Sequence, residues 1–279
     1  MNRPAPRTAA RYGLPDTHRI ADDLATCGLT DLAEPGTAEV LLGVSRTGRP
    51  DLAVTTLARV LTNAGPAEAA RLMVAMRNES ALRARLLAVI GGSAALGDHL
   101  VAHPDQWTLL RAEAAPHDLI DPDRMRRTVF GSVGLDPDAE RCTGTAGARA
   151  TLTGPKAIAA LRDAYRSVVL EIAAHDLVAA VDAALPIVAL PAVCRSLSDL
   201  ADATMQAALS MAAVALPRSA PPTRLGIVAM GKCGARELNY VSDVDVIFVD
   251  ANLRPEGRNG PLVRTLASHL AYYLSLIHI

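Results

Sequence analysis

Hydrophobic positions recur at helical spacing through most of the chain. From about residue 14 to residue 110 they step mainly by three or four positions, which predicts packed amphipathic helices. The clearest stripe follows Asp51, which we expect to cap the helix, and Pro66 is expected in the first turn of the next helix. The stripe consists of Leu52, Val54, Leu57, Val60 and Leu61.

Two longer helices are predicted farther along, over residues 155–184 and 196–216, where apolar residues again share one face. The stretch 116–154 is richer in Pro, Asp, Gly and Thr and predicts a connection with one short helix near 124–129. Residues 1–13 contain Pro4, Pro6 and three arginines, which is typical of a flexible tail. A helical region over residues 14–216 is therefore expected.

The period of the pattern changes after the proline-rich loop 217–223. Residues 225–228 and 244–249 form two short runs rich in β-branched side chains and apolar on both sides, which predicts strands of a sheet covered on both faces. Between them, Gly231 and Gly234 suit a turn, and a short helical piece is expected around 235–238. A helix is expected over 262–273. The predicted fold is mainly α with a C-terminal α/β part, residues 224–279.

Composition excludes several classes of protein. The chain has 279 residues, of which 50% are hydrophobic and 20% charged, so it has enough apolar side chains for a core and is not a disordered chain. The net charge of −1 offers no broad cationic field for nucleic acid. Lys156 and Lys232 are the only lysines, so nearly all positive charge is arginine.

No membrane segment or signal peptide is predicted. The longest uncharged apolar stretch near the middle of the chain, residues 86–97, is too short to span a bilayer, and the N-terminus lacks a hydrophobic run. The four cysteines are scattered without a C-x-x-C pair, which indicates reduced thiols and a cytoplasmic protein. They are Cys27, Cys142, Cys194 and Cys233.

The candidate chemistry lies in two carboxylates. Asp243 and Asp245 open an otherwise apolar run, and on a strand they would project from one face about 6.5–7 Å apart at Cα. Two carboxylates this close repel each other unless a cation lies between them. Such oxygen ligands suit Mg²⁺ bound together with phosphate oxygens, the arrangement used for phosphoryl displacement. The alternative is that both aspartates only solvate the start of the strand.

Three neighbouring residues suit a phosphate site. The turn at Gly231 brings backbone amides near a phosphate, Lys232 offers a positive charge, and Ser242 offers its hydroxyl or amide. Each also has a purely structural interpretation, as a turn glycine or an exposed loop residue. The string from Gly226 to Lys232 matches part of a Walker A loop, but Cys233 stands where Ser or Thr should bind Mg²⁺, and the intervening residues are strand-like.

The segment MGKCGARELNYVSDVDVIF, residues 230–248, resembles the signature of the bifunctional glutamine synthetase adenylyltransferase/adenylyl-removing enzyme family. That signature is approximately GMGKxGGRELNxxSDxDxxF, and Ala229 and Ala235 replace two of its glycines. Residues 96–107 and 164–176 are also similar to the helical region of this family. The resemblance covers most of residues 50–250, and actinobacterial members are the most similar.

The resemblance implies a nucleotidyltransferase domain of the DNA-polymerase-β type, in the copy that removes AMP from a tyrosine of glutamine synthetase by phosphorolysis. A second copy in the family adds AMP from ATP. By resemblance, Asp243 and Asp245 are the catalytic metal ligands for Mg²⁺ or Mn²⁺, and Gly231, Lys232 and Ser242 line the site for ATP, ADP or phosphate. Glutamine synthetase and a PII signalling protein are the implied partners.

Two expectations concern activity. A third metal-binding carboxylate is not evident before Ile279, since Asp250 points to the opposite face of the strand and Glu256 lies in a Pro/Gly turn. We therefore expect a truncated enzyme with little or no catalysis of its own. The alternative from another class is a helical protein-interaction module whose aspartates are inert.

Overall fold

Helices dominate the computed structural model, which confirms the expectation of a mainly α chain. It describes residues 6–15, 17–111, 119–137, 149–217, 219, 225–250 and 260–277. The chain divides into two compact units, each formed by two segments. The first unit combines Met1–Ala114 with Leu170–Val188, and the second combines Ala115–Val169 with Ala189–Ile279.

The described secondary structure of the first unit is entirely helical, and turns and loops connect its helices. Its elements are α1 (Pro6–Arg11), α2 (His18–Thr26), α3 (Thr37–Ser45), α4 (Pro50–Asn78), α5 (Ser80–Gly92), α6 (Ala94–Ala102) and a 3-10 helix (Pro104–Arg111). The helix α4 contacts α2, α3, α5 and α6, so it forms the centre of this unit. The predicted stripe supplies part of the core, because Val54, Leu57 and Val60 are buried.

Helix α4 differs from the sequence prediction at its start and agrees with it at its kink. Arg49 holds the N-cap position and Pro50 begins the helix, so Asp51 lies in the first turn and is not the cap. Proline suits that position because its missing N–H is not needed there. Gly65 has φ of 75° and ψ of 165°, which breaks the helix directly before Pro66, where a second helix was expected to begin.

The second unit contains α7 (Pro122–Ser132), α9 (Leu190–Val214), β1 (Leu225–Ala229), α10 (Gly231–Gly234), β2 (Val246–Asp250) and α11 (Gly260–Ile277). Helix α8 (Gly154–Leu177), which is followed by a 3-10 turn (Val178–Ala180), contributes residues to both units. Helix α9 contacts α7 and α11, and α11 also contacts both strands. Buried alanines on α9, such as Ala207, Ala208 and Ala212, allow this close packing.

The two strands form an antiparallel pair in which Leu225 lies opposite Asp250 and Ala229 lies opposite Val246. Strand alternation directs Val228, Ile247 and Val249 to one face, and their exposed fractions are 46%, 51% and 43%. In the described ranges this face is therefore open, which differs from the prediction of a sheet covered on both faces. A single helix, α11, can cover one face of a two-stranded pair but not both.

Four other local predictions differ from the structure. Helix α9 begins at Leu190, six residues before the predicted start at 196. Residues Pro6–Arg11 form α1 within the segment for which we expected a flexible tail. The short helix after β1 is Gly231–Gly234, so the prediction of a helical piece at 235–238 is wrong. The long helix α8 ends at Leu177, earlier than predicted, because the chain tightens there into a 3-10 turn. The predicted loop 217–223 lies largely outside the described residues. The predicted connection 116–154 is described over 119–137 and 149–154, and it contains α7 (Pro122–Ser132) where one short helix near 124–129 was expected.

Among the described residues, no single helix has the length and apolar composition to cross a membrane. The consecutive helices α5 and α6 reach that composition only when joined, and they are bent by 116° relative to each other.

Candidate active site

The chain turns back on itself directly after β1. The Met230 amide donates to the carbonyl oxygen of Asp245 at 2.8 Å, which extends the strand pairing by one bond. The Gly234 amide donates to the Met230 carbonyl at 2.9 Å, and the Ala235 amide donates to the Gly231 carbonyl at 3.0 Å. These bonds close the single turn of α10 beside the start of β2.

Both predicted turn glycines are required by the geometry. Gly231 has φ of +53°, and a Cβ atom there would lie 3.2 Å from Oδ2 of Asp245. At Gly234 a Cβ atom would lie 3.0 Å from the carbonyl carbon of Ala229, which is too close for any side chain. Ala235 stands where the family signature has glycine, and its right-handed backbone with φ of −78° accepts a side chain without strain.

The predicted carboxylate pair lies immediately before β2 and not within it. Asp243 and Asp245 are both exposed, and the strand begins at Val246. The reason is that the chain opposite Asp243 has already turned into α10, so no partner strand remains to extend the ladder. Of the predicted site residues, the structure brings Asp245 and Gly231 next to each other.

The Ser242 hydroxyl has a partner within its own loop. It donates to Oδ1 of Asn239 at 2.7 Å, and the Val241 amide donates to the same oxygen at 3.1 Å. Asn239 thus organises the turn that leads into the carboxylate pair, a role our sequence prediction did not assign. Its position, two and three residues before its donors, is the spacing of an Asx turn and was the signal available in the sequence.

Lys232 is exposed on α10 and is not brought into an ion pair with either aspartate among the described residues. The structure also excludes the Walker A interpretation. That motif needs a loop wrapped around phosphate between its glycine and its lysine, whereas residues 225–229 form strand β1.

An arginine that was not among the predicted site residues anchors this turn. The Arg236 guanidinium forms an ion pair with Asp199 and a second, at 3.5 Å, with Asp202. Both aspartates lie on α9, three residues apart and therefore on the same face. This spacing was visible in the sequence, but nothing in the sequence connected it to a residue more than thirty positions away.

The electrostatics of this cluster follow from burial. Burial raises the pKa of the Asp202 carboxyl above its ordinary value, Arg236 opposes that rise, and Asp199 adds to it. Burial also raises the pKa of the Cys233 thiol, and the Asp202 carboxylate reinforces the effect. The raised pKa keeps the Cys233 thiol protonated at neutral pH, which argues against a role as a nucleophile.

The donor set fits a hard divalent cation. Two exposed carboxylates lie two residues apart, and neither forms an ion pair with a basic side chain in the described ranges. The glycine turn lies directly beside the Asp245 carboxylate, because a Cβ atom on Gly231 would be 3.2 Å from its Oδ2. Oxygen ligands of this kind, completed by water and phosphate oxygens, are those that Mg²⁺ takes in proteins.

Comparison with known proteins identifies the family. The family model described as glutamate-ammonia ligase adenylyltransferase matches residues 84–249. The chain is also similar to proteins named bifunctional glutamine synthetase adenylyltransferase/adenylyl-removing enzyme. The relative from Nocardia farcinica is 41% identical over 95% of this chain and 29% of its own length. The relative from Mycobacterium bovis is 39% identical over 97% of this chain and 28% of its own length.

The relative from Corynebacterium diphtheriae is 39% identical over 85% of this chain and 28% of its own length. The chain thus spans less than a third of the length of these relatives. No solved structure matches the chain. The family model covers more than half of the residues, including the glycine turn and both aspartates. The chain therefore belongs to the glutamate-ammonia ligase adenylyltransferase family.

Proposed function

We propose that residues 224–279 belong to a nucleotidyltransferase site of the DNA-polymerase-β type, which acts on glutamine synthetase. The names of the relatives support this substrate and this class of reaction. The observation that carries the proposal is the placement of the Asp245 carboxylate beside the positive-φ turn at Gly231, with Asp243 exposed next to it. The site combines cation ligands with a backbone turn suited to phosphate.

The proposed reaction is removal of AMP from a tyrosine by phosphorolysis. An oxygen of inorganic phosphate attacks the phosphorus of the AMP group, the bond from that phosphorus to the tyrosine oxygen breaks, and the tyrosine takes up a proton. The products are ADP and unmodified glutamine synthetase. The longer relatives are named for both directions, and addition of AMP from ATP is the corresponding proposal for a longer protein.

Each residue has a proposed task. Asp243 and Asp245 hold Mg²⁺ or Mn²⁺, which when bound neutralises charge on the phosphate oxygens. Gly231 lets the phosphate approach the backbone of α10 because it has no side chain. Lys232, exposed on the same turn, supplies a positive charge to the phosphates. Ser242 offers its amide, since its hydroxyl proton is engaged by Asn239.

The first experiment measures cation binding by the 279-residue chain. Mn²⁺ titration followed by electron paramagnetic resonance should show a bound ion. Asp243→Asn and Asp245→Asn should each weaken binding at least tenfold, and the double variant should abolish it. Asp250→Asn is the matched control, because it removes a carboxylate from the far end of β2, the strand that follows the pair. Its affinity for Mn²⁺ should equal that of the unchanged chain.

The same titration distinguishes the proposed enzyme from the alternative hypothesis, a helical protein-interaction module whose aspartates are inert. A chain that binds no Mn²⁺, or a double variant that binds it as well as the unchanged chain, contradicts the proposal. The reaction itself is tested by incubating the chain with adenylylated glutamine synthetase, phosphate and Mg²⁺. Any ADP formed should disappear when Asp243 and Asp245 are both replaced by asparagine.

A further inference from the structure

Arg236 holds an unusual backbone conformation next to the proposed site. Its φ is +60°, and it is the only residue other than glycine with a positive φ among the described residues. A side chain in this region costs about 1–2 kcal/mol. Such strain persists when surrounding contacts hold the residue in place, and it is concentrated at functional sites.

Two carboxylates of α9 provide these contacts. The Arg236 guanidinium reaches Asp199 with one nitrogen and Asp202 with another. The side chains of Arg236, Asp199 and Asp202 are 44%, 24% and 44% exposed, so the cluster is partly shielded from water. A forked guanidinium with two anionic partners is geometrically more specific than a single surface ion pair.

The backbone of Arg236 is tied to α10 at the same time. Its amide donates to the Cys233 carbonyl at 3.1 Å, and the next amide, of Glu237, donates to the Lys232 carbonyl at 2.7 Å. Arg236 therefore ends the turn that begins at Gly231. Its side chain connects that turn to α9, a long helix with many buried residues.

Apolar packing gives this segment little support. Between residues 231 and 242 only Cys233 and Leu238 are buried, and most of the other side chains are exposed. Two small buried contacts restrain the position of a twelve-residue segment poorly. The ion pairs of Arg236 therefore add a restraint on where α10 lies, at the opposite end of the turn from the hydrogen bond between Met230 and Asp245.

We propose that Arg236 is a positioning residue, which through Asp199 and Asp202 holds the turn of Gly231 and Lys232 in register with the Asp243–Asp245 carboxylates. The inference rests on the proposed function, because its purpose is to keep a cation and phosphate site assembled. It assigns no contact between Arg236 and the substrate.

The experiment separates the backbone conformation from the ion pairs. Arg236→Gly accepts a φ of +60° without strain but removes the guanidinium, whereas Arg236→Lys keeps a positive charge. A third variant carries both Asp199→Asn and Asp202→Asn, which removes the two carboxylates that pair with Arg236 and leaves Arg236 itself unchanged. Mn²⁺ affinity is measured by electron paramagnetic resonance, and thermal unfolding is followed by circular dichroism.

Arg236→Gly should weaken Mn²⁺ binding about tenfold while the melting temperature changes by only a few degrees. The chain with both asparagines should show the same loss, and adding Arg236→Gly to it should cause no further loss, since all three side chains act as one unit. Arg236→Lys should recover part of the affinity. Arg59→Ala, which breaks the 2.7 Å ion pair with Asp98 in the first unit, is the control and should bind Mn²⁺ normally.

Mn²⁺ binding by Arg236→Gly at the affinity of the unchanged chain overturns this inference and leaves the proposed function standing. An Arg236→Lys chain as weak as Arg236→Gly also overturns it. If Arg236→Gly does not fold, the chain with both asparagines decides the question, because normal Mn²⁺ affinity there shows that the ion pairs are not needed. An unchanged chain that binds no Mn²⁺ overturns the proposed function, and this inference with it.

Discussion

Oδ2 of Asp245 lies 3.2 Å from the position that a Cβ atom on Gly231 would occupy. The two residues are fourteen positions apart along the chain, and the hydrogen bond from the Met230 amide to the Asp245 carbonyl brings them together. Only a residue without a side chain combines this approach with a φ of +53°. The structure therefore places the glycine turn directly beside Asp245, as the proposed site requires.

Gly231→Ala should damage both stability and cation binding. The positive φ costs about 1–2 kcal/mol with a side chain present, and the new methyl group displaces the Asp245 carboxylate. We expect a lower melting temperature and Mn²⁺ binding weakened about tenfold. Gly226→Ala is the control, because the φ of Gly226 is not positive. The nearest atom to a Cβ added there, the Val249 carbonyl oxygen, would be 3.6 Å away, an ordinary contact. Equal Mn²⁺ affinity in the two variants would count against the close approach.

Gly97→Ala should destabilise the first unit. A Cβ atom on Gly97 would lie 2.8 Å from Cγ2 of Thr56, at the contact between α6 and α4. Because both residues are in tightly packed helices, we expect a loss of about 1–3 kcal/mol in the free energy of unfolding. Gly131→Ala on α7 meets nothing within 4 Å and should instead gain about 0.5–1 kcal/mol from helix propensity. Chemical denaturation followed by circular dichroism measures both changes, and a stabilised Gly97→Ala chain contradicts this packing.

Trp107 and Arg71 share the carboxylate of Glu68, and the two contacts should contribute differently to stability. The buried indole N–H donates to Oε1 at 2.7 Å, and the exposed Arg71 pairs with Oε2 at 2.7 Å. Glu68→Ala leaves a buried donor without its partner, which costs about 1–3 kcal/mol, whereas Arg71→Ala should cost under about 1 kcal/mol. Glu68→Gln keeps an acceptor and should fall between them. Trp107 is the only tryptophan, so its fluorescence reports the unfolding.

Cys27 should make the protein less stable at alkaline pH. Burial, with a smaller contribution from the Asp23 carboxylate, raises the pKa of this thiol far above its ordinary value of 9.0. Above pH 9 the unfolded thiol ionises while the folded thiol keeps its proton, so the unfolded state is favoured as pH rises.

The expected loss approaches about 1 kcal/mol between pH 9 and pH 10, and Cys27→Ala should remove it. Urea unfolding of both chains at pH 8, 9 and 10 measures the difference. Cys194→Ala, at a half-buried position, is the control and should retain the full alkaline loss. An identical pH dependence in the Cys27→Ala chain would contradict the burial of this thiol.

The helical spacing of apolar residues predicts helices correctly where each helix buries one apolar face in a core. The helices over most of residues 14–216 follow from steps of three and four residues, and the kink before Pro66 follows from the chemistry of Gly-Pro. The cap of α4 was predicted incorrectly, because Asp51 and Pro50 compete for the start of the helix and proline occupies its first turn. The end of α8 was also missed, since apolar spacing continues past Leu177 into the 3-10 turn.

The sequence by itself determined the helical character of this chain, the change to strands after residue 224 and the family signature that contains Asp243 and Asp245. These features depend on local spacing and residue type, which act within a few residues. Only the tertiary structure decided that Asp245 lies against Gly231, that β2 begins after the aspartates, and that Arg236 is bound to Asp199 and Asp202. These contacts and the start of β2 depend on how separate elements pack and on which backbone groups are left to form strand hydrogen bonds. Local residue spacing does not reveal distances between residues that are far apart along the chain.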